Sequence, residues 1–301
     1  VLLAEPEAYK VWDLILDDLG IERGDTVYLG VDMAKVPLPR YEISLAREAI
    51  FKREERWCSF LVEALRRKLG AKGTILVPTY TYAYTKGTPY IHEESPSETG
   101  PFTEYLRRHA DCRSLHPVHS VAGIGLHAKT ILDNTGRAAF GARSPYMGFK
   151  DYGVKFLCLG ATIGESLTYT HHLEHLYGVN YRYHKIFNTP VFRDGVEQPG
   201  PWLCFSRFLG VGVDPALINA ESGLRKAGKL RTSSRWHYPM QEASVKDVDS
   251  VIFDMLDADP FAFTREPVEI QIESPGSFSK PGNVRIARFE LCDEKIKEPT
   301  L

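Results

Sequence analysis

The stretch VKFLCLGATIGESLTYTHHLEHLYG, residues 154–178, decides what kind of fold this chain builds. Its opening, Val154 to Ala161, carries one charge at Lys155 and is then an unbroken apolar run, bounded by glycine. A strand with one face in water would alternate apolar and polar residues, so an uninterrupted run reads as a central strand covered on both faces. SLTYTHHLEHLYG then reads as a helix, with Gly178 as its stop because glycine enters the left-handed turn after a helix at little cost. Strand followed by helix is the repeating unit of layered α/β folds.

The same alternation runs upstream. Val11, Leu14, Ile15 and Leu19 recur at helical spacing before Gly20, and Thr26 to Val31 reads as a buried strand. A long helix is expected from about Ser44 to Leu69, with Phe51, Trp57, Phe60, Leu61, Ala64 and Leu65 on its apolar side. Thr74 to Val77 reads as a second strand entering an aromatic loop, Lys86 to Thr99 as a loop, and Pro101 to His109 as a helix. Ala128 to Asn134 is a further helical stretch. Downstream, TPVFRDGVEQPG (189–200) predicts a hairpin turning at Asp194-Gly195. Asp214 to Lys226 and Val245 to Leu256 read as helices, and EPVEIQIE (266–273) and NVRIARFEL (283–291) as half-exposed strands. There is no internal repeat and no linker long enough to force a boundary. The expectation is one domain over 1–301, a three-layer α/β/α fold with a mixed central sheet and a small C-terminal β/α portion. Within it, residues 20–200 carry the motifs and 201–301 form a C-terminal extension.

Bulk properties exclude some functions. A formal charge of −2 does not suit a general nucleic-acid binder, which needs a basic face for phosphates. No apolar run approaches the ~20 residues that span a bilayer. The N-terminus mixes acids and a lysine into its apolar residues, reading as an amphipathic helix rather than a signal peptide. The five cysteines (Cys58, Cys112, Cys158, Cys204, Cys292) are scattered, with no C-x-x-C pair, which suits a reducing cytoplasm.

The densest group of reactive side chains lies in residues 170–178. His171, Glu174 and His175 stand at i, i+3 and i+4 and share a helix face, with His172 about a quarter turn away. Open α/β sheets bind ligands at the carboxyl ends of their strands, where this helix begins. Near a helix N-terminus the dipole disfavours imidazolium, leaving His171 neutral and able to accept a proton, with Glu174 placed to orient it. Packed or surface histidines are the ordinary alternative. The same residues spell H-x-x-E-H, a zinc-hydrolase pattern with His171 and His175 as ligands and Glu174 as base. That reading needs a third ligand. Glu221, Glu242 and Asp247 are available, none in a recognisable ligand motif.

RSLHPVHS (113–120) offers Arg113, Ser114, His116 and Ser120, yet a polar loop with capping serines explains it equally well. FGARSP (140–145) reads on its own as a tight turn. GIGLHA (123–128) fits G-x-G-x-x-A but lacks a clear preceding strand and the acid some 20 residues on, so the dinucleotide reading is rejected.

Taken in order, GTILVP (73–78), RSLHPVHS (113–120), FGARSP (140–145) and TYTHHLE (168–174) resemble the aminoglycoside 3-N-acetyltransferases. Those proteins share G-T-L-x-x-P, R-S-x-H-P-x-x-S, F-G-x-x-S-P and T-x-x-H-x-x-E elements. The similarity continues through YRYHKIFNTPVFRDG (181–195) and fades after about residue 200, with DMLDADPFAF (254–263) similar to the family's closing helix. The resemblance implies direct acetyl transfer from acetyl-coenzyme A to an amine, with no metal. It implies His171 as general base and Glu174 as its partner, with Ser114, His116, Ser120 and Ser144 walling the donor and acceptor channel. One loop departs from the family. Where its members carry V-H-S-S-L against the coenzyme, this chain has Leu29-Gly-Val-Asp-Met33, leaving Val31, Asp32 and Met33 to meet the coenzyme and placing a carboxylate near phosphate or thioester.

For the acceptor, Glu93, Glu94 and Glu98 suit a polycationic aminoglycoside, whereas Arg143, Lys150, Arg182 and Lys185 suit an acidic or nucleotide-linked amino sugar. Tyr80, Glu98, Arg143 and Arg182 are the substrate-binding candidates. The altered loop at Leu29 to Met33, together with a charge-rich insert from Arg40 to Arg56 longer than the resistance enzymes lead one to expect, favours a biosynthetic amino-sugar acyltransferase over a resistance enzyme. A zinc hydrolase and an inactive sugar-binding homologue are the alternatives, and a homodimer is compatible with the sequence.

Overall fold

The computed structural model describes residues 2–41, 47–133, 135–208 and 215–265, together with the short strands Ile270–Gln271 and Arg285–Ile286, which pair in parallel. The rest of the two C-terminal strand expectations, the first residues of the helix expected from Ser44, Asp214 and Cys292 lie outside the described residues. Nine strands and eight helices matter for the site. The strands are β1 (Thr26–Val31), β2 (Thr74–Pro78), β3 (Cys112–Arg113), β4 (Val121–Gly125), β5 (Lys155–Leu159), β6 (Arg182–Phe187), β7 (Trp202–Arg207), β8 (Arg231–Thr232) and β9 (Met240–Ser244). The helices are α1 (Glu5–Asp18), α2 (Arg47–Leu69), α3 (Pro101–Arg108), α4 (Ala128–Leu132), α5 (Ile163–Ser166), α6 (Tyr169–Tyr177), α7 (Ile218–Lys226) and α8 (Val245–Ala258).

Seven strands form one sheet in the order β8-β9-β5-β1-β2-β4-β3. β1 lies parallel to β5 and β2, while β9 on β5 and β4 on β2 run antiparallel, so the sheet is mixed. Alternation along the strands divides the interior into two cores. Val27, Leu29, Ile75, Val77, Leu157 and Leu159 point to a core roofed by α1, α2 and α3, with Trp12, Leu61, Leu65 and Phe102. Tyr28, Leu76, Phe156 and Cys158 point to the other, roofed by α4, α6, α7 and α8, with Leu132, Leu173, Leu224 and Ile252. This is the expected α/β/α sandwich. β5 is central and apolar on both faces, so truncation of fully buried Leu157 to Ala would cost about 2–5 kcal/mol.

Local chemistry sets the element ends. Glu5, Pro6 and Glu7 occupy the first turn of α1, where proline loses no hydrogen bond and acids meet the positive dipole end. Ser244 caps α8 by accepting from the Asp247 amide at 3.1 Å. Between β5 and the histidine-bearing helix the chain inserts α5, opened by a Thr162–Glu165 capping box in which the Thr162 amide donates to Glu165 Oε2 at 2.8 Å. The helix read as starting near Ser166 therefore starts at Tyr169, and Gly178 ends it at φ +82°. The hairpin at Asp194-Gly195 forms with φ values of 51° and 72°, as a two-residue turn with positive φ at both positions requires. GIG of GIGLHA is the end of β4 itself. Beyond residue 200 the chain returns to the main sheet through β8 and β9, and β7 pairs with β6 along six residues as a separate antiparallel ribbon.

Candidate active site

His171 is the third residue of α6, at the carboxyl edge of the sheet. Its Nδ1 lies 2.6 Å from Glu174 Oε2, one turn on. The Glu174 side chain is wholly out of solvent, whereas His171 keeps 18% exposure. Tyr181 donates its hydroxyl to Glu174 Oε1 at 2.7 Å, so both carboxylate oxygens are engaged. Arg182, first residue of β6, brings Nε to 2.8 Å from Glu174 Oε2, off the line of a hydrogen bond, and Nη2 to 2.8 Å from His171 Nδ1. The β6–β7 ribbon positions this guanidinium, whose Nη1 donates to the Phe205 carbonyl of β7 at 3.5 Å.

The electrostatics follow from burial and this ion pair. Burial lowers the His171 pKa and the Arg182 charge lowers it further, against the upward pull of Glu174. Burial works to raise the Glu174 carboxyl, but Arg182, then His171 and Tyr181, outweigh it and hold it below the usual carboxylate range. The pair therefore rests as neutral imidazole and carboxylate. Nδ1 thus lies between a carboxylate, which favours a proton on it, and a guanidinium, which can only donate to it.

Aromatic rings lead away from His171. Phe140 lies 6.2 Å from it between ring centroids, His119 lies 5.0 Å from Phe140, and Tyr80 lies 4.9 Å from His119. Tyr82, 43% exposed, packs on Tyr80 at 6.2 Å. The Tyr80 hydroxyl is 2.6 Å from that of Tyr146 and 3.1 Å from that of Tyr28, a buried triad under the site. His119 has a buried Nδ1 without a hydrogen-bond partner.

The other sequence candidates divide. His116 is fully buried with both nitrogens committed: Nε2 donates to the Leu203 carbonyl at 3.1 Å, and Nδ1 accepts from the Val118 and His119 amides. Burial pushes its pKa down to about 4. Ser114 Oγ accepts from the Val121 amide, and Ser120 Oγ donates to the Thr79 carbonyl, both inside the β3–β4 hairpin. Arg113 is buried and donates to Thr79, Thr81, His92, Ser95 and Ser120. These residues hold the loops around the site together, and none of the four contacts His171. Ser144 donates to the Gly141 carbonyl at 2.9 Å and lies 3.5 Å from His172, whose Nδ1 also accepts from the Gly141 amide. Glu98 spends Oε1 on the Ala83 amide, and Arg143 is exposed. Sequence reasoning missed Tyr181 and His119, although Y-R at 181–182 and the second histidine of RSLHPVHS were visible.

At the end of β1, Val31 and Met33 are half-buried, and Asp32 folds back on its own loop. Its Oδ1 accepts from the Ala34 amide at 3.0 Å, and Oδ2 lies 2.9 Å from Lys35 Nζ. Gly160 at φ +72° lets this loop close over β5, where a Cβ would come 2.8 Å from the Asp32 carbonyl oxygen. A cavity of about 360 Å³ lies at the opposite end of the sheet, between the end of α2 and the β2–β4 edge at Gly73 and Gly125, away from His171.

A sealed carboxylate against a part-exposed histidine is an arrangement suited to moving a proton, and it stands where open α/β sheets bind their ligands. The model of the aminoglycoside 3-N-acetyltransferase family matches residues 52–262, well over half of the chain, and the chain belongs to that family of N-acetyltransferases. No curated protein sequence matches it. Among solved structures, AAC-IIIb in a binary complex with CoASH is 18% identical, with a TM-score of 0.68 over 89% of this chain and 100% of that one. Sisomicin-bound AAC-VIa is 21% identical, with a TM-score of 0.68 over 86% and 99%. The YokD protein of Bacillus subtilis is 16% identical, with a TM-score of 0.64 over 82% and 97%. These likenesses establish the fold. Among the described residues no helix is long and apolar enough to cross a membrane.

Proposed function

We propose that this enzyme transfers an acetyl group from acetyl-coenzyme A to an amine of a sugar-like acceptor, with His171 as general base. The observation that carries this reading is the 2.6 Å contact between His171 Nδ1 and the sealed carboxylate of Glu174. An ammonium cannot attack a thioester, so the amine must first lose a proton. His171 Nε2 takes it as nitrogen bonds to the carbonyl carbon, and Glu174 offsets the imidazolium charge. Collapse of the tetrahedral intermediate expels the coenzyme thiolate, which takes up a proton to leave as thiol.

The donor end fits a coenzyme better than the sequence suggested. Lys35 meets the charge of Asp32, so the loop does not present an unpaired carboxylate to phosphate or thioester. Val31, Asp32 and Met33 remain the residues proposed to line the coenzyme. Ser114, His116 and Ser120 act through the loops they hold, and Ser144 through the Gly141 turn.

For the acceptor we favour an amino sugar of biosynthesis over a polycationic aminoglycoside such as the sisomicin bound by AAC-VIa. Glu98 is committed to Ala83, Glu93 is committed to His92 and the Asp194 amide, and the carboxylate touching His171 is closed off. Tyr80, Tyr82 and Phe140 supply apolar surface instead. The zinc-hydrolase reading is less well supported, because it needs Glu174 free to activate water and His175 aimed with His171 at one point. Here Glu174 has both oxygens engaged and His175 faces His184. The unpaired thiols of Cys58, Cys112 and Cys158 support a reducing compartment such as the cytoplasm.

The test is a melting-temperature titration with acetyl-coenzyme A, free coenzyme A and zinc, followed by thiol-release assays on amino sugars. A coenzyme-dependent rise with turnover supports the reading. Stabilisation by zinc alone would sink it, and silence from both ligands would leave a homologue without this activity. Equal turnover on a kanamycin-type amine, with none on any nucleotide amino sugar, would remove the acceptor preference.

A further inference from the structure

The second histidine of H-x-x-E-H has a partner outside the motif. His175, one turn after His171 on α6, meets His184, two residues after Arg182 on β6. Their Nε2 atoms are 3.0 Å apart and their rings are nearly perpendicular at 4.9 Å between centroids. Phe205 of β7 flanks both rings, at 4.9 Å and 5.3 Å. His184 is exposed and His175 half-buried, so solvent reaches the pair.

Two imidazoles at ~2.1 Å from one ion have nitrogens ~3.0 Å apart at neighbouring corners of an octahedral or square-planar site, as nickel and copper take, and ~3.4 Å apart on a tetrahedral zinc. The metal-free pair already has the shorter spacing, with one Nε2 donating to the other. Binding an ion requires that this proton move to Nδ1 of the same ring and that the exposed His184 ring turn, so that both Nε2 lone pairs converge on one point beside the N···N line. We propose that His175 and His184 form a two-imidazole site for a divalent transition ion of the nickel, copper and zinc group, with water filling the remaining positions. The ion ties α6 to β6 beside the Glu174–Arg182 contact, one residue on along α6 and two along β6, and so braces the two elements that hold His171. A second group, His116, His119 and Cys204, also has ligand atoms within 4.8 Å of one another. It is the weaker candidate because both nitrogens of His116 are already hydrogen-bonded.

The test uses the full chain without a histidine tag, stripped with chelator and titrated with nickel chloride and, in parallel, zinc chloride. Calorimetry and melting temperature report binding. One nickel per chain with a rise in melting temperature is expected, and His184→Gln should abolish both while its metal-free acetyl-transfer rate stays unchanged. Cys204→Ala should still bind. If His184→Gln fails to fold, as its metal-free melt would reveal, His175→Gln provides the same reading. Absence of nickel binding to the unaltered chain overturns the proposal. Undiminished binding in the histidine variants, or loss in Cys204→Ala, overturns it as well.

Discussion

Glu174 Oε2 lies 2.6 Å from His171 Nδ1, inside a pocket of protein that water does not enter on the glutamate side. The contact answers the charge the ring would gain on taking a proton, so its loss should appear in turnover. Glu174→Gln and His171→Ala should each lower kcat by about 10²–10⁴-fold. The double variant should be little worse than either single, since the two act as a unit. Thiol-release kinetics measure this, and acetyl-coenzyme A affinity should barely change. An unaltered rate in His171→Ala would show that the base lies elsewhere.

The pH dependence follows from the direction of the His171 shift. Burial and Arg182 lower its pKa below the ordinary 6.5, and a general base works when deprotonated. Activity should therefore be flat through neutrality and fall only at a pH under 6.5. Arg182→Gln removes a cation that lowers the ring's pKa and leaves the Glu174 charge less compensated. Both changes act in the same direction, so the acid limb of kcat/KM should move to higher pH. A limb that stays put would mean that His171 does not set the profile.

Stability should fail on the acid side at His116. Its pKa is held at about 4 against 6.5 for a free histidine, so the buried ring favours folding while neutral. That contribution is complete above pH 6.5 and is lost as pH falls towards 4, amounting to about 3 kcal/mol. Urea unfolding at pH 7 and at pH 4.5 measures it, and His116→Gln should flatten the difference.

Glu242 works in the opposite direction. Burial raises its carboxyl to about 7, against the pull of Arg231 and Lys155, and Oε1 has no hydrogen-bond partner. A raised acid favours the fold while protonated, so its contribution is present below pH 4.5 and disappears as pH rises through 7. Glu242→Gln should be more stable than the parent at pH 8, by up to about 3 kcal/mol, and close to it at pH 4.5. Equal melting temperatures at pH 8 would refute this.

Arg113 makes its test through folding rather than chemistry. Its partners are carbonyls and hydroxyls from Thr79, Thr81, His92, Ser95 and Ser120, so it staples the loop after β2 to the β3–β4 hairpin. Lysine has one nitrogen and no planar fork, so Arg113→Lys should cost about 3 kcal/mol in urea unfolding. Turnover at low temperature, where the variant remains folded, should change far less than in Glu174→Gln.

Much of this was legible in the sequence where the information is local. The i, i+3 spacing of His171 and Glu174 needs only a helix, and β5 announced itself by an unbroken apolar run. The roles of Arg182, Tyr181 and Phe205 depend on β6 pairing with β7 across an intervening hairpin, and periodicity carries no record of such a partner. RSLHPVHS shows a finer limit. His116 and His119 look equivalent on paper, but the amides of Val118 and His119 and the carbonyl of Leu203 draw the first ring inward, while the second faces Phe140. The acids of the 93–98 loop looked like a cation pocket because their backbone partners, Ala83 and Asp194, are remote in sequence.

The placement of β5 between β1 and β9 has a consequence for how the enzyme is made. One edge of this strand can pair once residue 31 and residue 159 are both available, but the other waits for Met240–Ser244. A nascent or prematurely ended chain that already holds His171, Glu174 and Arg182 still lacks that neighbour. Its row of bare amides and carbonyls beside the reactive helix would be open to capture by another chain. Competence to transfer an acyl group therefore arrives late in synthesis, and partial products are an aggregation hazard rather than weak enzymes.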